Sequence, residues 1–354
     1  MKVLHVITTL NSGGAEKMLV DIVKEMQIQG ITCEVAVLTK AHNFFGQQIE
    51  KLKIPVYYGP TPKVYAFKNI FFLKKIIETH NYDCIHTHLF ASQLFTPVAL
   101  KMAGKQISLI TTEHSTHNKR RDSKKLYLLD YWLYRQYDKI IAITTDTKEN
   151  LKSYLPSTGY KTEVIENGID VLQYLESPSL DRFEISPEIS ENEKLILMVA
   201  AMREQKDHET LIRTSKLLPL NYRIVFVGDG ERLEEVKQYA NEYGRDTILF
   251  LGKRMDVPSI MKASDVFVLS SKWEGFGLVV VEAAATGLPV VASDVDGLNG
   301  VVKTLGGQVF EPFNEHDLAD KIIASIESEK VKLDVSKYTI QETVKKYLAL
   351  YKEI

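Results

Sequence analysis

Residues 265–293 read DVFVLSSKWEGFGLVVVEAAATGLPVVAS, and this stretch decides the fold. The apolar run Asp265–Ser270 predicts a buried strand, and Pro289–Ser293 predicts the next. Between them a glycine-spaced loop runs into an apolar helix. Strand, loop, helix and strand form the repeating unit of an open parallel sheet, whose ligands bind at the carboxyl ends of strands. The backbone N–H groups of Gly275, Phe276, Gly277 and Leu278 open the helix and would face an anion, favoured by the helix dipole. Glu274 stands on the loop and Glu282 one turn inside the helix. Either carboxylate could accept hydrogen bonds from a polyol, so the stretch suits a ligand with hydroxyls at both ends and phosphate between them. A nucleotide sugar fits that description. Two plainer readings stay open here: Glu282 as a helix residue on a partly solvated face, and Glu274 as a polar loop residue. A glycosidase-like carboxylate pair is a third, with nothing in the sequence to aim the two side chains together.

Working outward, strand and helix patterns alternate along the whole chain. Lys2–Thr8, Ile31–Leu38, Asp83–His86, Ile107–Thr112 and Lys139–Thr144 read as strands. Helices are expected after Asn11-Ser12-Gly13-Gly14, over Ile70–Glu78 and over Asp146–Leu155. A short strand at Thr162–Ile165 leads into Glu166-Asn167-Gly168-Ile169-Asp170, and Ser177–Glu193 reads as irregular. A second alternation follows: Leu195–Ala200, a helix over Glu209–Leu217, Arg223–Val227, a helix over Arg232–Tyr243, and Ile248–Leu251. The tail Ile340–Ile354 is an amphipathic helix. The fold class is α/β, with two doubly wound, Rossmann-like domains in series. Two such domains are expected to make a cleft, with the Glu274–Glu282 loop facing it.

A length of 354 residues accommodates two cores, and 45% hydrophobic with 25% charged residues is ordinary globular composition. No run reaches the roughly 18 apolar residues of a spanning helix. The N-terminus enters a strand at once without a signal-peptide pattern, so the cytoplasm is the expected compartment. Cys33 and Cys84 sit in apolar runs and read as reduced core residues. The net charge of −2 hides an asymmetry. Residues 1–165 carry 22 Lys+Arg against 14 Asp+Glu, whereas residues 166–354 carry 22 against 32. Basic residues 119–125, followed by Tyr127, Tyr131, Trp132 and Tyr134, could rest on an anionic bilayer; a solvated helix entrance with core aromatics is the equal alternative. The overall pI near 6.5 argues against nucleic acid.

Other motifs carry less. Gly13-Gly14-Ala15-Glu16 opens a helix after the first strand, where glycines permit close approach of a phosphate or sugar, or simply a tight turn. Gly228-Asp229-Gly230 ends a strand, but Leu233 breaks the dinucleotide fingerprint, so no nicotinamide or flavin cofactor is expected. Lys206, with Arg203 nearby, could offset a diphosphate's charge without metal. His86-Thr87-His88 offers two histidines on one strand face with no obvious third ligand, so packing is preferred to metal binding. His114 ends a strand and could donate to a sugar hydroxyl. Asp294-Val295-Asp296 follows a late strand and reads as a loop pair.

Taken together, these motifs resemble the retaining glycosyltransferases of family 4, which have the two-domain GT-B fold. The carriers are Gly13-Gly14-Ala15-Glu16, Val164-Ile165-Glu166-Asn167-Gly168-Ile169-Asp170, Gln205-Lys206-Asp207-His208, the Glu274/Glu282 pair and Gly287–Ser293, in the family's order. The resemblance implies domains at 1–165 (acceptor side) and 166–335 (donor side), with 336–354 a helix crossing back to the first. It implies that Gly13, Gly14, Glu274 and the Gly275–Leu278 backbone hold donor sugar and phosphates, and that Glu282 holds the ribose. Lys206 would neutralise the leaving diphosphate, with His114 near the transferred sugar. One departure is Ala201, where many members carry arginine; Arg203 stands two residues on. The implied reaction moves a hexose from a UDP-sugar, or alternatively GDP-mannose, to a glycan or lipid-linked hydroxyl in surface-polysaccharide or glycan synthesis, with no metal or other cofactor. A GT-B nucleotide-sugar 2-epimerase and a non-catalytic sugar-binding protein are the alternatives.

Overall fold

The computed structural model describes the chain apart from Ser12, His42, His117 and residues 329–332. The chain divides into two compact units, Met1–Ile169 with Tyr338–Ile354, and Asp170–Lys337.

The first unit holds a seven-stranded sheet: β1 (Lys2–Ile7), β2 (Thr32–Val37), β3 (Val56–Tyr58), β4 (Cys84–His88), β5 (Ser108–Glu113), β6 (Lys139–Ala142) and β7 (Thr162–Val164). Their spatial order is β3-β2-β1-β4-β5-β6-β7, and every pairing is parallel. Parallel strands buried on both faces read as near-continuous apolar runs, as Val3, Leu4, Val6 and Ile7 do. The chain's winding reverses between β1 and β4, which pair with His5 opposite His86. The helix Ile340–Lys352 completes this unit. Its N-cap Thr339 bridges to Ile169, and Thr343 Oγ1 donates to the Glu166 carbonyl at 2.9 Å. These bonds tie residues 166–169 to the first unit, four residues beyond the boundary at 165 that the resemblance implies. Gly168 is required there, because a Cβ would stand 2.3 Å from the Thr339 carbonyl oxygen.

The second unit holds β8 (Lys194–Val199), β9 (Tyr222–Val227), β10 (Leu249–Phe250), β11 (Val266–Leu269), β12 (Val290–Ser293) and β13 (Gln308–Phe310). Their order is β10-β9-β8-β11-β12-β13, again all parallel, with the reversal between β8 and β11. The stretch read as irregular, Ser177–Glu193, contains a short helix, Arg182–Ile185. Asp181 and Glu184 form a reciprocal capping box that makes so short a helix viable. Among the described residues no helix is long and apolar enough to cross a membrane.

Candidate functional site

In an open parallel sheet the winding reversal leaves a crevice at the carboxyl ends of its two central strands, where ligands bind. In the second unit those strands are β8 and β11, and the loops leaving them are stitched together. The Lys272 N–H donates to the Gln205 carbonyl at 2.8 Å, and Gln205 Nε2 donates to the Trp273 carbonyl at 2.8 Å. Ser270 Oγ donates to the Asp207 carbonyl at 2.9 Å. Asp207 adopts the left-handed conformation at φ 44°, a strain an aspartate tolerates better than most residues, and turns the chain into the helix His208–Thr214.

This stitching brings Lys206 and Glu274 together. The Lys206 ammonium forms an ion pair with Glu274 Oε1, which also accepts from Ser271 Oγ at 2.7 Å. Glu274 is only 6% exposed, so its carboxylate is a held charge rather than a solvated loop group. Ser271 had no sequence signal of its own; it is recognisable only as the residue three before Glu274 on the same turn. Gly277 caps the following helix, Leu278–Ala285, at φ 78°, and a Cβ there would meet Leu298 Cδ1 at 2.5 Å. Gly275, Phe276 and Gly277 are buried and Leu278 half-buried as the helix begins. Glu282 is 7% exposed, which corrects the partly solvated reading of that residue. The Arg203 carbonyl accepts from the Lys206 N–H at 3.0 Å, but the Arg203 side chain is exposed and forms no ion pair or hydrogen bond with these groups among the described residues. The glycines of Gly228-Asp229-Gly230 serve backbone crowding: a Cβ would lie 1.9 Å from the Ala200 carbonyl oxygen and 2.5 Å from that of Met202. Asp294 accepts from Asn299 Nδ2 at 2.7 Å in its own loop.

The first unit gathers different chemistry at its reversal. His5 on β1 and His86 and His88 on β4 share one face, fully buried, with candidate ring nitrogens within 4.8 Å of one another. His5 is the third histidine that sequence reading did not find, because it lies 83 residues from His88 and only the insertion of β4 beside β1 joins them. His86 bonds through Nδ1 to the Tyr351 hydroxyl at 2.5 Å and through Nε2 to Thr112 Oγ1 at 2.7 Å. Burial holds all three rings uncharged, His5 down to about 3 and the other two well below the usual range. His114, half-buried just past β5, is likewise lowered by burial to about 4, with Glu113 opposing.

Glu113 itself accepts from Arg121 at 2.7 Å, Tyr134 at 2.5 Å and Gln93 at 2.9 Å. Burial pushes its carboxyl up, but Arg121 and these hydrogen bonds outweigh that and hold it below the usual range. Arg120 pairs with buried Asp130 at 3.0 Å and lies over the Phe90 ring. Both arginines of the 119–125 patch are thus committed inward, while the side chains of Lys119 and Lys124 lie outside the described residues. Gly13 is extended at the N-terminus of the helix Gly14–Ile28, where a Cβ would meet the Glu16 carboxylate at 2.3 Å.

Comparison with known proteins agrees with this architecture. Residues 12–172 match the family described as Glycosyltransferase Family 4, and residues 181–342 match Glycosyl transferases group 1. The Escherichia coli UDP-Gal:alpha-D-GlcNAc-diphosphoundecaprenol alpha-1,3-galactosyltransferase is 29% identical over 278 residues, 75% of this chain and 71% of that protein. The Campylobacter jejuni N,N'-diacetylbacillosaminyl-diphospho-undecaprenol alpha-1,3-N-acetylgalactosaminyltransferase is 26% identical over 86% of both chains. The crystal structure of Anabaena Alr3699/HepE in complex with UDP and glucose superposes with a TM-score of 0.84 at 22% identity, covering 100% of each chain. The chain belongs to the glycosyltransferases of family 4 and has their GT-B fold.

Proposed function

We propose that the protein transfers a hexosyl group from a UDP-sugar to a hydroxyl of a lipid-linked glycan, with retention of configuration and without a divalent metal. The observation that carries this reading is the Lys206–Glu274–Ser271 arrangement beside the opening of the Leu278–Ala285 helix, at the reversal of the second sheet. The E. coli relative's name specifies a UDP-linked donor, and both enzyme relatives are named for diphosphoundecaprenol acceptors.

In the proposed reaction the bond from the anomeric carbon to the diphosphate breaks, with its electrons leaving on the diphosphate oxygen. The acceptor hydroxyl bonds to the same face of that carbon and gives its proton to the departing diphosphate. Charge grows on the diphosphate as the bond breaks, so the groups that matter are those that oppose it. Lys206 supplies a full positive charge, and the helix opening supplies oriented N–H groups. Together they take the part a divalent cation plays elsewhere. Glu274 steadies the lysine until the donor arrives and then accepts from the sugar's hydroxyls. Gly13 and Gly14 let the backbone approach the donor closely. Glu282 takes the ribose diol, and His114 contacts the transferred sugar. Arg203, exposed and unconstrained, swings to the diphosphate only on donor binding.

Contact with an anionic bilayer is assigned to the helix Tyr127–Arg135 rather than to Arg120 and Arg121, which turn inward to Asp130 and Glu113. Its exposed face presents Tyr127, Leu128, Tyr131 and Trp132 beside Lys125 and Arg135.

The test is thermal stabilisation by UDP, GDP and ADP, with Glu282→Ala beside the wild type. A nucleotide at 100 times its Kd adds about 2.7 kcal/mol. UDP is expected to shift the wild type and not the variant. Stabilisation by GDP alone would replace the donor with GDP-mannose, and conversion of the donor to its C2 isomer without acceptor would replace the transferase with an epimerase.

A further inference from the structure

Three histidines of the first unit form a line running from its core to its surface. His5 Nδ1 lies 3.2 Å from His88 Nε2, and His88 Nδ1 lies 3.3 Å from His114 Nε2. We propose that His5 and His88 are positioning residues that hold His114 in its Nδ1–H form, so that His114 meets its ligand as a hydrogen-bond donor. This rests on the reading of His114 as a contact of the transferred sugar.

Neutral imidazole has one N–H and one lone pair, on opposite ring nitrogens. Burial keeps all three rings neutral. The carboxylate next in sequence, Glu113, is occupied by Arg121, Tyr134 and Gln93. His88, in the middle, must therefore donate through one nitrogen and accept through the other. That single requirement makes the line directional: either every ring carries its proton on Nδ1, or every ring carries it on Nε2.

The inner end decides between the two. His5 Nε2 is fully buried and has no hydrogen-bond partner among the described residues. In the all-Nε2 arrangement it would be an N–H without an acceptor, in the core. Orphaned buried N–H groups are rarer in folded proteins than under-satisfied acceptors, because a buried donor left unpaired loses its full solvation. In the all-Nδ1 arrangement the same atom is only an unused lone pair. The proton at the other end then sits on His114 Nδ1, on a half-buried residue where solvent or a ligand can take the hydrogen bond.

His86 stands beside the line without joining it, since Tyr351 and Thr112 occupy both of its nitrogens. A metal ion held by His86 would have to displace Tyr351 or Thr112 from one of its nitrogens. Its two hydroxyl partners, each able to donate or accept, leave His86 free in its own tautomer; the line does not.

The consequence is a restriction on chemistry. For His114 to act as a base at Nδ1, all three protons would have to move, leaving an N–H stranded at His5. The line therefore favours donation to a sugar oxygen over proton abstraction.

The experiment is nitrogen-detected tautomer assignment by NMR on the full-length chain labelled with 15N-histidine, at pH 7, with single substitutions used to assign each ring. Expected is an Nδ1–H signature shared by His5, His88 and His114. An Nε2–H signature at His114, or mixed tautomers along the line, overturns the proposal. Kinetics supply a second arm. His88→Asn places an amide N–H where the ring's Nδ1–H stood, and His88→Phe removes it. His88→Phe should lower kcat roughly tenfold with the donor KM little changed, and His88→Asn should recover most of it. Equal kcat in the two variants overturns the positioning role. His114→Ala tests the reading beneath: unchanged turnover would remove His114 from the sugar site while leaving the wild-type tautomer pattern as measured.

Discussion

The two units repeat one topology and fill its reversal point with opposite chemistry. Between β1 and β4 the first unit places neutral rings, with His5, His86 and His88 packed against one another and closed by Tyr351. Between β8 and β11 the second places a fixed ion pair, Lys206 with Glu274, beside a helix opening. The fold thus dictates where reactive groups gather, at the carboxyl ends of the central strands. It leaves their kind to the residues of a few loops.

Acid should separate the two units most strongly. A histidine whose folded pKa is depressed costs stability once the unfolded chain begins to bind protons that the folded state refuses. Stability is full above about pH 6.5 and falls as pH drops towards the folded value. At pH 5 each fully buried histidine then costs about 2 kcal/mol. The first unit has His5, His86 and His88, and the second has His208, lowered by burial to about 3. A severalfold larger loss is expected in the first unit, to which His114, lowered to about 4, adds further. Hydrogen exchange, corrected for its intrinsic rate, should show β1 and β4 losing protection before β8 and β11. Simultaneous loss would break the comparison.

Charge should matter more to turnover in the second unit. Lys206→Ala is expected to lower kcat roughly 100-fold or more, because Lys206 is the cation already held in place beside Glu274 to meet the leaving diphosphate. A rate within a few-fold of wild type would remove Lys206 from the reaction. The smallest effect compares two glycines at helix openings. Gly277→Ala forces a left-handed residue against Leu298 and should cost about 1–2 kcal/mol in denaturant unfolding. Gly13→Ala meets only the flexible Glu16 carboxylate from an extended backbone, so less than about 1 kcal/mol is expected. Equal costs would mean that Leu298 gives way.

How much of this was legible in the sequence follows from how local each signal is. The alternation of strands and helices, and the Glu274–Glu282 segment, are written in consecutive residues, and the structure places them where their pattern implies. Strands β3 and β13 have three residues each, too short for a periodic signal. The helix Phe90–Ala103 was not read because it contains Pro97 and is apolar over much of its surface, which blurs the helical period. The histidine line and the Lys206–Glu274 pair depend on which strands become neighbours, which no local pattern carries. The inward commitment of Arg120 and Arg121 escaped for a similar reason: their partners, Asp130 and Glu113, meet them only after the chain turns back on itself.

Tyr347 and Tyr351, from the helix Ile340–Lys352, are buried against His86 in the first unit's core. On the ribosome, residues 170–337 must be made before those tyrosines exist. At about 5–20 residues per second, the first unit waits on the order of 10–30 s with its histidine face uncovered. The second unit, contiguous in the chain, can finish folding in that interval. Synthesis order and folding order are therefore inverted for part of this protein, and the uncovered interval is when a chaperone would find it.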